Sequence, residues 1–249
     1  KLLYKNLDID AITNTKIKQK VQTQKDKIKD LRGGDSILAV FTTVDLDKEY
    51  FEKICTGHFF YTPYTEGLST LKPFNEHASK EEIITWLKEY YRLNTFEVSI
   101  PVLRDENLVP KGKTALAIST LFDYDVANRI REMGWYDEFK TLSEEWIINI
   151  MNDTIYPGFK DHITNQFSST PLTIESRTGN TDGAITGWAF TNPVMPAVSK
   201  LPQIAQSVKT PIPHVYQAGQ WSYSPAGLPI SILTGKLAAD NVKKQLKKR

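Results

Sequence analysis

The feature that most constrains this chain is a set of strand-length segments built from β-branched and aromatic residues. Thr95-Phe-Glu-Val-Ser-Ile-Pro-Val102 is the clearest, with Phe96, Val98 and Ile100 alternating against Thr95, Glu97 and Ser99. A period of two places the first three side chains on one face of a strand and the others on the opposite face. One face is then buried and the other wet. Residues 36–44, 58–62 and 114–121 share this texture, and 162–168 is a weaker fifth segment. The stretches between them are long, uneven and helical in pattern. Ser79-Lys-Glu-Glu82 reads as a capping box ahead of Ile83, Ile84 and Leu87. Residues 125–133 and 138–155 read as helices, the second with Phe139, Leu142, Trp146 and Ile150 on its buried face. Half-wet strands joined in this way predict an α+β fold, a mainly antiparallel sheet flanked by helices rather than a run of βαβ units.

Ahead of the first strand lies a lysine-rich stretch, residues 1–31, with Ile17, Val21, Ile28 and Leu31 loosely on one helical face. Aromatic residues are absent from 9 to 35, which disfavours a nucleic-acid-binding arm and favours a solvated helix with a thin apolar stripe. Gly33-Gly34 reads as a turn pair introducing the strand. Lysine and arginine number 31 against 29 acidic residues, a net charge of +2, so no nucleic-acid partner is expected. The 249 residues, 40% hydrophobic and 24% charged, suit an ordinary globular chain of one large domain or two small ones. No window approaches a membrane span of about twenty apolar residues. A single cysteine, Cys55, cannot make an internal disulfide, which points to a reducing, cytoplasmic setting. Starting at Lys1 with neither Met nor a signal peptide suits a processed chain or an excised piece of a longer one.

Most catalytic signatures fail. There is no G-x-S-x-G elbow. Gly235-Lys236 resembles the end of a phosphate loop, but the earlier glycine is missing and Leu237 replaces the magnesium-binding hydroxyl. His58, His77, His162 and His214 are scattered without metal-ligand spacing, so no metal site is expected. Cys55 has no histidine partner nearby in sequence. No residue stands out as an acid, base or nucleophile.

The C-terminus carries more. Glycine, proline, serine, threonine and asparagine crowd residues 179–213, too many breakers for regular structure throughout. Val215-Tyr-Gln-Ala-Gly219 then reads as a short buried strand, 220–226 as a loop, and Gly227-Leu-Pro229 as the opening of a helix reaching about Lys244. Proline suits a first helical turn, where its missing N–H costs nothing. Ile230, Leu233, Leu237 and Ala238 form the expected buried stripe, and Lys243, Lys244, Lys247, Lys248 and Arg249 sit at the negative end of the helix dipole. Free N–H groups at the helix start favour a ligand atom that carries or acquires negative charge. Any α/β crossover helix could open in the same way.

Residues 215–239, Val-Tyr-Gln-Ala-Gly-Gln-Trp-Ser-Tyr-Ser-Pro-Ala-Gly-Leu-Pro-Ile-Ser-Ile-Leu-Thr-Gly-Lys-Leu-Ala-Ala, resemble the C-terminal flavin motif of the phytoene desaturase family. That family includes carotenoid isomerases and retinol saturase and is a branch of the amine-oxidase-like flavoproteins. Residues 36–44 and 96–101 resemble its substrate-domain strands, and 179–187 its glycine-rich stretch before the motif. Two positions depart from the pattern: Ile230 replaces a glycine at the helix start, and Gln220 stands where amine oxidases place an acidic residue. The family's N-terminal G-x-G-x-x-G, which seats the cofactor pyrophosphate, does not occur.

The resemblance implies the C-terminal half of a larger FAD-dependent oxidoreductase. Residues 1–175 would be the later part of its substrate-binding domain. Residues 176–249 would supply a connecting segment and the closing strand and helix of an FAD/NAD(P)-binding α/β domain. It implies a non-covalent FAD in the parent enzyme, absent from this chain alone, exchanging hydride with a lipophilic substrate such as a polyene. Gly219, Gln220, Gly227, Leu228, Pro229 and Ile230 would line the cofactor. A peripheral membrane contact would suit such a substrate. Amine oxidation on the same scaffold is an alternative, with Tyr216, Trp221, Tyr223 and Trp188 as candidates for an aromatic pair. A non-catalytic module for a hydrophobic ligand is another.

Overall fold

Every segment with the period-two texture becomes a strand in the computed structural model of the chain, which describes residues 2–247. The strands are β1 (Ile37–Val44), β2 (His58–Tyr61), β3 (Phe96–Ser99), β4 (Thr114–Leu121) and β5 (Ile163–Ser169). They form one five-stranded sheet in the order β2-β3-β4-β1-β5. All its pairings are antiparallel. Phe96, Val98 and Ile100 are fully buried while Glu97 is exposed, as their alternation dictates. The fold is α+β.

The helices are α1 (Leu2–Asn6), α2 (Thr15–Ile28), α3 (Lys48–Glu52), α4 (Lys80–Arg92), α5 (Tyr124–Glu132), α6 (Tyr136–Thr154), α7 (Pro171–Thr178), α8 (Ile204–Ser207) and α9 (Leu228–Leu246). Among the described residues, none is long and apolar enough to cross a membrane. Ile83, Leu87 and Tyr91 of α4, Ala127 and Ile130 of α5, and Phe139 and Ile147 of α6 share a core with Leu38, Val40, Val98 and Ile118 of the sheet. The helices thus cover one sheet face.

The capping box at α4 forms. The Glu82 amide donates to Ser79 Oγ at 3.3 Å, and the Ser79 amide donates to Glu82 Oε2 at 2.7 Å. Ser79→Ala should lower stability by about 1 kcal/mol in urea unfolding, the usual worth of such a cap. An unchanged midpoint would show that the core alone holds the helix start.

The buried face of α6 is rotated from the expected one. Phe139, Ser143, Ile147, Ile148 and Met151 are buried, whereas Leu142, Trp146 and Ile150 are only half-buried. A hydroxyl explains the shift. Tyr91 is fully buried, and its phenol pairs with Ser143 Oγ at 2.8 Å, which also donates to the Phe139 carbonyl at 2.7 Å. A buried phenol without a partner would cost about 1–3 kcal/mol, so a small polar residue is drawn inward.

Residues 37–172 make one compact unit, and 2–36 together with 173–247 make another. The lysine-rich stretch therefore groups with the C-terminal part, unlike the division at 175/176 expected from sequence. The reason is a backbone ribbon. The Ile185 amide donates to the Asp35 carbonyl at 2.9 Å, Gly34 to Gly187 at 2.7 Å, and Ala189 to Arg32 at 3.1 Å. Gly33 bridges Trp188 in the same antiparallel sense. Gly33-Gly34 is thus part of this ribbon rather than the expected turn. Glycine is needed for proximity: a Cβ on Gly33 would stand 2.3 Å from the Thr181 carbonyl oxygen, and one on Gly34 2.5 Å from Thr186 Oγ1. The thin stripe of α2 is confirmed, with Val21 and Ile28 buried against Tyr4 and Trp188.

Candidate functional site

Val215–Gly219 is not a strand here. Within its unit it makes one antiparallel bridge, Lys209 with Tyr216, and the Gln217 amide donates to the Val208 carbonyl at 2.9 Å. An extended segment becomes a strand only when a neighbour supplies a ladder, and one rung is not a ladder. The segment ends at Gly219, whose φ of 95° lies where side-chain-bearing residues are strained.

From Gly219 the backbone is tied to α9 by one side chain. The Gly219 amide donates to Thr234 Oγ1 at 3.0 Å, and Thr234 Oγ1 donates to the Ile230 carbonyl at 2.8 Å. Thr234 is fully buried and is the buried residue of α9. The Gly219 carbonyl accepts from the Ser222 amide at 3.1 Å and Ser222 Oγ at 2.7 Å. Both backbone groups of Gly219 are therefore satisfied, and the end of the extended segment is held beside the helix start. Sequence reading missed this role of Thr234. A threonine inside a helix can bond its i−4 carbonyl; nothing in the sequence says that it also receives an amide fifteen residues upstream.

The helix opens as expected. Gly227 is its N-cap with φ 137° and ψ 169°, a region essentially reserved for glycine, and Pro229 lies in the first turn. The Ser231 amide donates to the Gly227 carbonyl at 2.9 Å. The amides of Leu228 and Ile230 lie among the first-turn groups that have no intrahelical partner, and Pro229 has no amide to offer. No acidic residue lies in the first turn and no side chain caps it, so the positive end of the helix dipole is uncompensated locally. A Cβ on Gly227 would meet only Pro229 Cδ, at 3.9 Å, and one on Gly219 would meet nothing within 4 Å. Glycine is required at both places by backbone conformation, and the space a side chain would fill is open.

The expected buried stripe of α9 is not buried. Ile230, Leu237 and Ala238 are half-buried and Leu233 is 36% exposed, while Leu228, Ile232, Val242 and Leu246 stand open to solvent. Within the described residues too little chain packs on this helix to cover its apolar side. Lys243, Lys244 and Lys247 end the helix as expected, whereas Lys248 and Arg249 lie outside the described residues.

Behind the loop of residues 220–226 lies the end of the glycine-rich stretch. Gly187, with φ 83°, packs so closely that a Cβ would stand 2.5 Å from the Gln220 carbonyl oxygen and 3.2 Å from Ala226 Cβ. Trp188 Nε1 donates to the Trp221 carbonyl at 2.9 Å, with the two rings edge to face at 4.9 Å. The Ser224 amide donates to the Val198 carbonyl at 2.9 Å. Tyr223 OH donates to the Ser199 carbonyl at 3.3 Å and Tyr216 OH to Gln245 Oε1 at 3.3 Å. All four aromatic residues considered for a pair are thus engaged in holding the loop and helix together.

The structure brings Gly219 and Gln220 to the same loop as Gly227, Leu228, Pro229 and Ile230. Residues 219–230 carry no carboxylate, imidazole, amine or thiol. What they offer is backbone donors and open space, suited to orienting a planar or electron-rich group rather than moving a proton. Cys55 is no substitute: burial pushes its thiol pKa up, and its sulfur lies 3.3 Å from the Tyr156 hydroxyl and 3.4 Å from the Phe51 carbonyl. No protein-family model matches the chain, and no curated protein matches it.

Proposed function

We propose that this chain supplies the substrate-covering sheet and the flavin-facing helix start of an FAD-dependent oxidoreductase of the phytoene desaturase type, acting on a lipophilic substrate. The observation that carries the reading is the Gly219–Thr234–Ile230 tie. It sets two glycine-only backbone positions, Gly219 and Gly227, at one loop mouth with open space where side chains would be. Gly219, Gln220, Gly227, Leu228, Pro229 and Ile230 would hold the isoalloxazine end of FAD. When bound, the flavin supplies hydride exchange, the chemistry this loop cannot itself perform. The Leu228 and Ile230 amides and the helix dipole would favour negative charge on a ring placed there, by about 1 kcal/mol.

The single-rung segment Val215–Gly219 and the open apolar side of α9 also support the reading. An extended segment with a single antiparallel rung and a helix with exposed apolar side chains leave room for further chain, which suits a βα unit of a larger FAD/NAD(P)-binding sheet. A cofactor-free module for a hydrophobic ligand is the second reading, favoured by the exposed Phe60, Leu121 and Phe167 of the sheet.

Flavin content tests the proposal. The 249-residue chain should purify without flavin absorbance, because the pyrophosphate fingerprint that supplies much of FAD affinity is not in it. The reading implies a longer protein that contains this chain, and that protein should purify yellow with one FAD per polypeptide. A flavin-free longer protein that binds no added FAD would overturn the flavoenzyme reading and leave the ligand module.

A further inference from the structure

Within the unit formed by residues 2–36 and 173–247 lies a cavity of about 300 Å³, bordered by α1, α2 and the irregular segments 196–198 and 206–222. Its aromatic wall consists of Tyr4, Trp188 and Trp221, and its polar groups include Gln24, Lys209 and Gln217. Among the described residues that line it there is no carboxylate, guanidinium or imidazole. Gly219, Gln220, Gly227, Leu228, Pro229 and Ile230 do not line it either, so the cavity is separate from the loop mouth assigned to the flavin.

Three of its polar groups are left open. Tyr4 is 6% exposed and packs with Val21, Ile28 and Trp188, yet its hydroxyl has no hydrogen-bond partner among the described residues. That hydroxyl is not sealed in protein, so it opens on the cavity its residue lines. Gln24 is half-buried on α2, and neither end of its amide is bonded to a described residue. Gln217 donates from Nε2 to the Ser207 carbonyl at 2.7 Å and keeps Oε1 as an acceptor. The hydroxyls of Ser207, Thr210 and Ser222 are committed to backbone carbonyls. The cavity thus presents a phenol that donates and accepts, an amide that offers both, and a further acceptor.

This set narrows the occupant. A hydrocarbon would leave all three groups unpaired in a half-enclosed space. A cation would find no carboxylate, and an anion would find only Lys209, which stands exposed. Trp188 and Trp221 meet at 88°, a corner rather than a slot between parallel faces that would clasp a flat aromatic ring. A saturated ring bearing several hydroxyls fits each feature. Its C–H groups lie against an indole face, and every hydroxyl both donates and accepts.

We infer that this cavity is a binding site for a single pyranose sugar, its C–H face in the Trp188–Trp221 corner and its hydroxyls on Tyr4, Gln24 and Gln217. The volume is at the lower end of ligand pockets, which begin at about 300 Å³, and suits one ring rather than a chain of them. Ordered water would satisfy the same groups, but it gives no preference among ring compounds. That preference is what the experiment reads.

The test titrates D-glucose, D-galactose and D-mannose into the 249-residue chain, followed by tryptophan fluorescence and ligand-observed NMR. Cyclohexylmethanol serves as a saturated ring of similar size with one hydroxyl, and indole as a flat aromatic ring. At least one hexose should saturate the protein and bind about tenfold more tightly than either control ring. Tyr4→Phe and Gln24→Leu, which keep the bulk of the wall, should each weaken that hexose about fivefold, the effect of one hydrogen bond. Cyclohexylmethanol binding and melting temperature should stay as in wild type. No saturable binding of any hexose, a control ring bound as tightly as the best hexose, or full hexose affinity in both variants would overturn the inference. The wild-type preference is read without any variant, so a variant that fails to fold leaves the test intact.

Discussion

In the longer flavoprotein that the proposed function implies, Gly227→Val is expected to abolish FAD retention, while costing the 249-residue chain by itself only about 1–3 kcal/mol. Two effects combine in the longer protein. At φ 137° and ψ 169° a β-branched residue is strained, so the loop shifts away from its present path. An added side chain would also enter the open space beside the first turn of α9, where only Pro229 Cδ lies within 4 Å of a new Cβ. In the 249-residue chain, expected to carry no flavin, strain alone remains. The comparison is FAD per polypeptide in wild type and variant of the longer protein, set beside unfolding midpoints of both 249-residue chains. Equal FAD occupancy in the two longer proteins would reduce Gly227 to a turn residue.

Phe139→Ala should destabilise the sheet unit by about 3–5 kcal/mol in guanidinium unfolding. Its ring is fully buried and meets Phe122 at 5.5 Å, Tyr136 at 6.2 Å and Trp135 edge-on at 6.3 Å. Its carbonyl receives Ser143 Oγ, the partner of the buried Tyr91 hydroxyl, so a local shift of α6 disturbs that pair too. Leu142→Ala, on the half-buried flank, should cost less than half as much. Equal losses at the two positions would contradict the orientation of α6 and restore the stripe read from its spacing.

That stripe shows where sequence reading stops. The strands were legible because period-two alternation is local, and in Phe96, Val98 and Ile100 burial follows it residue by residue. The start of α9 was legible because Gly227 and Pro229 have local backbone preferences. Ser143 was not, because its inward turn answers a phenol on another helix 52 residues away. Gly33-Gly34 carries the composition of a turn, yet its glycines serve an approach to Thr181 and Thr186. Val215–Gly219 has strand composition without a ladder, and α9 has apolar residues without a surface to bury them. The Thr234 tie joins residues 15 apart, a proximity that only the fold creates.

Hydrogen exchange at the loop mouth tests the flavin assignment most directly. In the longer protein that the proposed function implies, exchange would be followed with and without FAD in peptides spanning residues 218–222 and 227–232. Bound flavin should slow the Leu228 and Ile230 amides, which are first-turn donors without an intrahelical partner. It should leave the Gly219 amide, already donated to Thr234, little changed. Slowing confined to 228–230 on FAD addition is the predicted result; identical exchange in the two states, with FAD stoichiometrically bound, would place the flavin elsewhere and contradict the assignment.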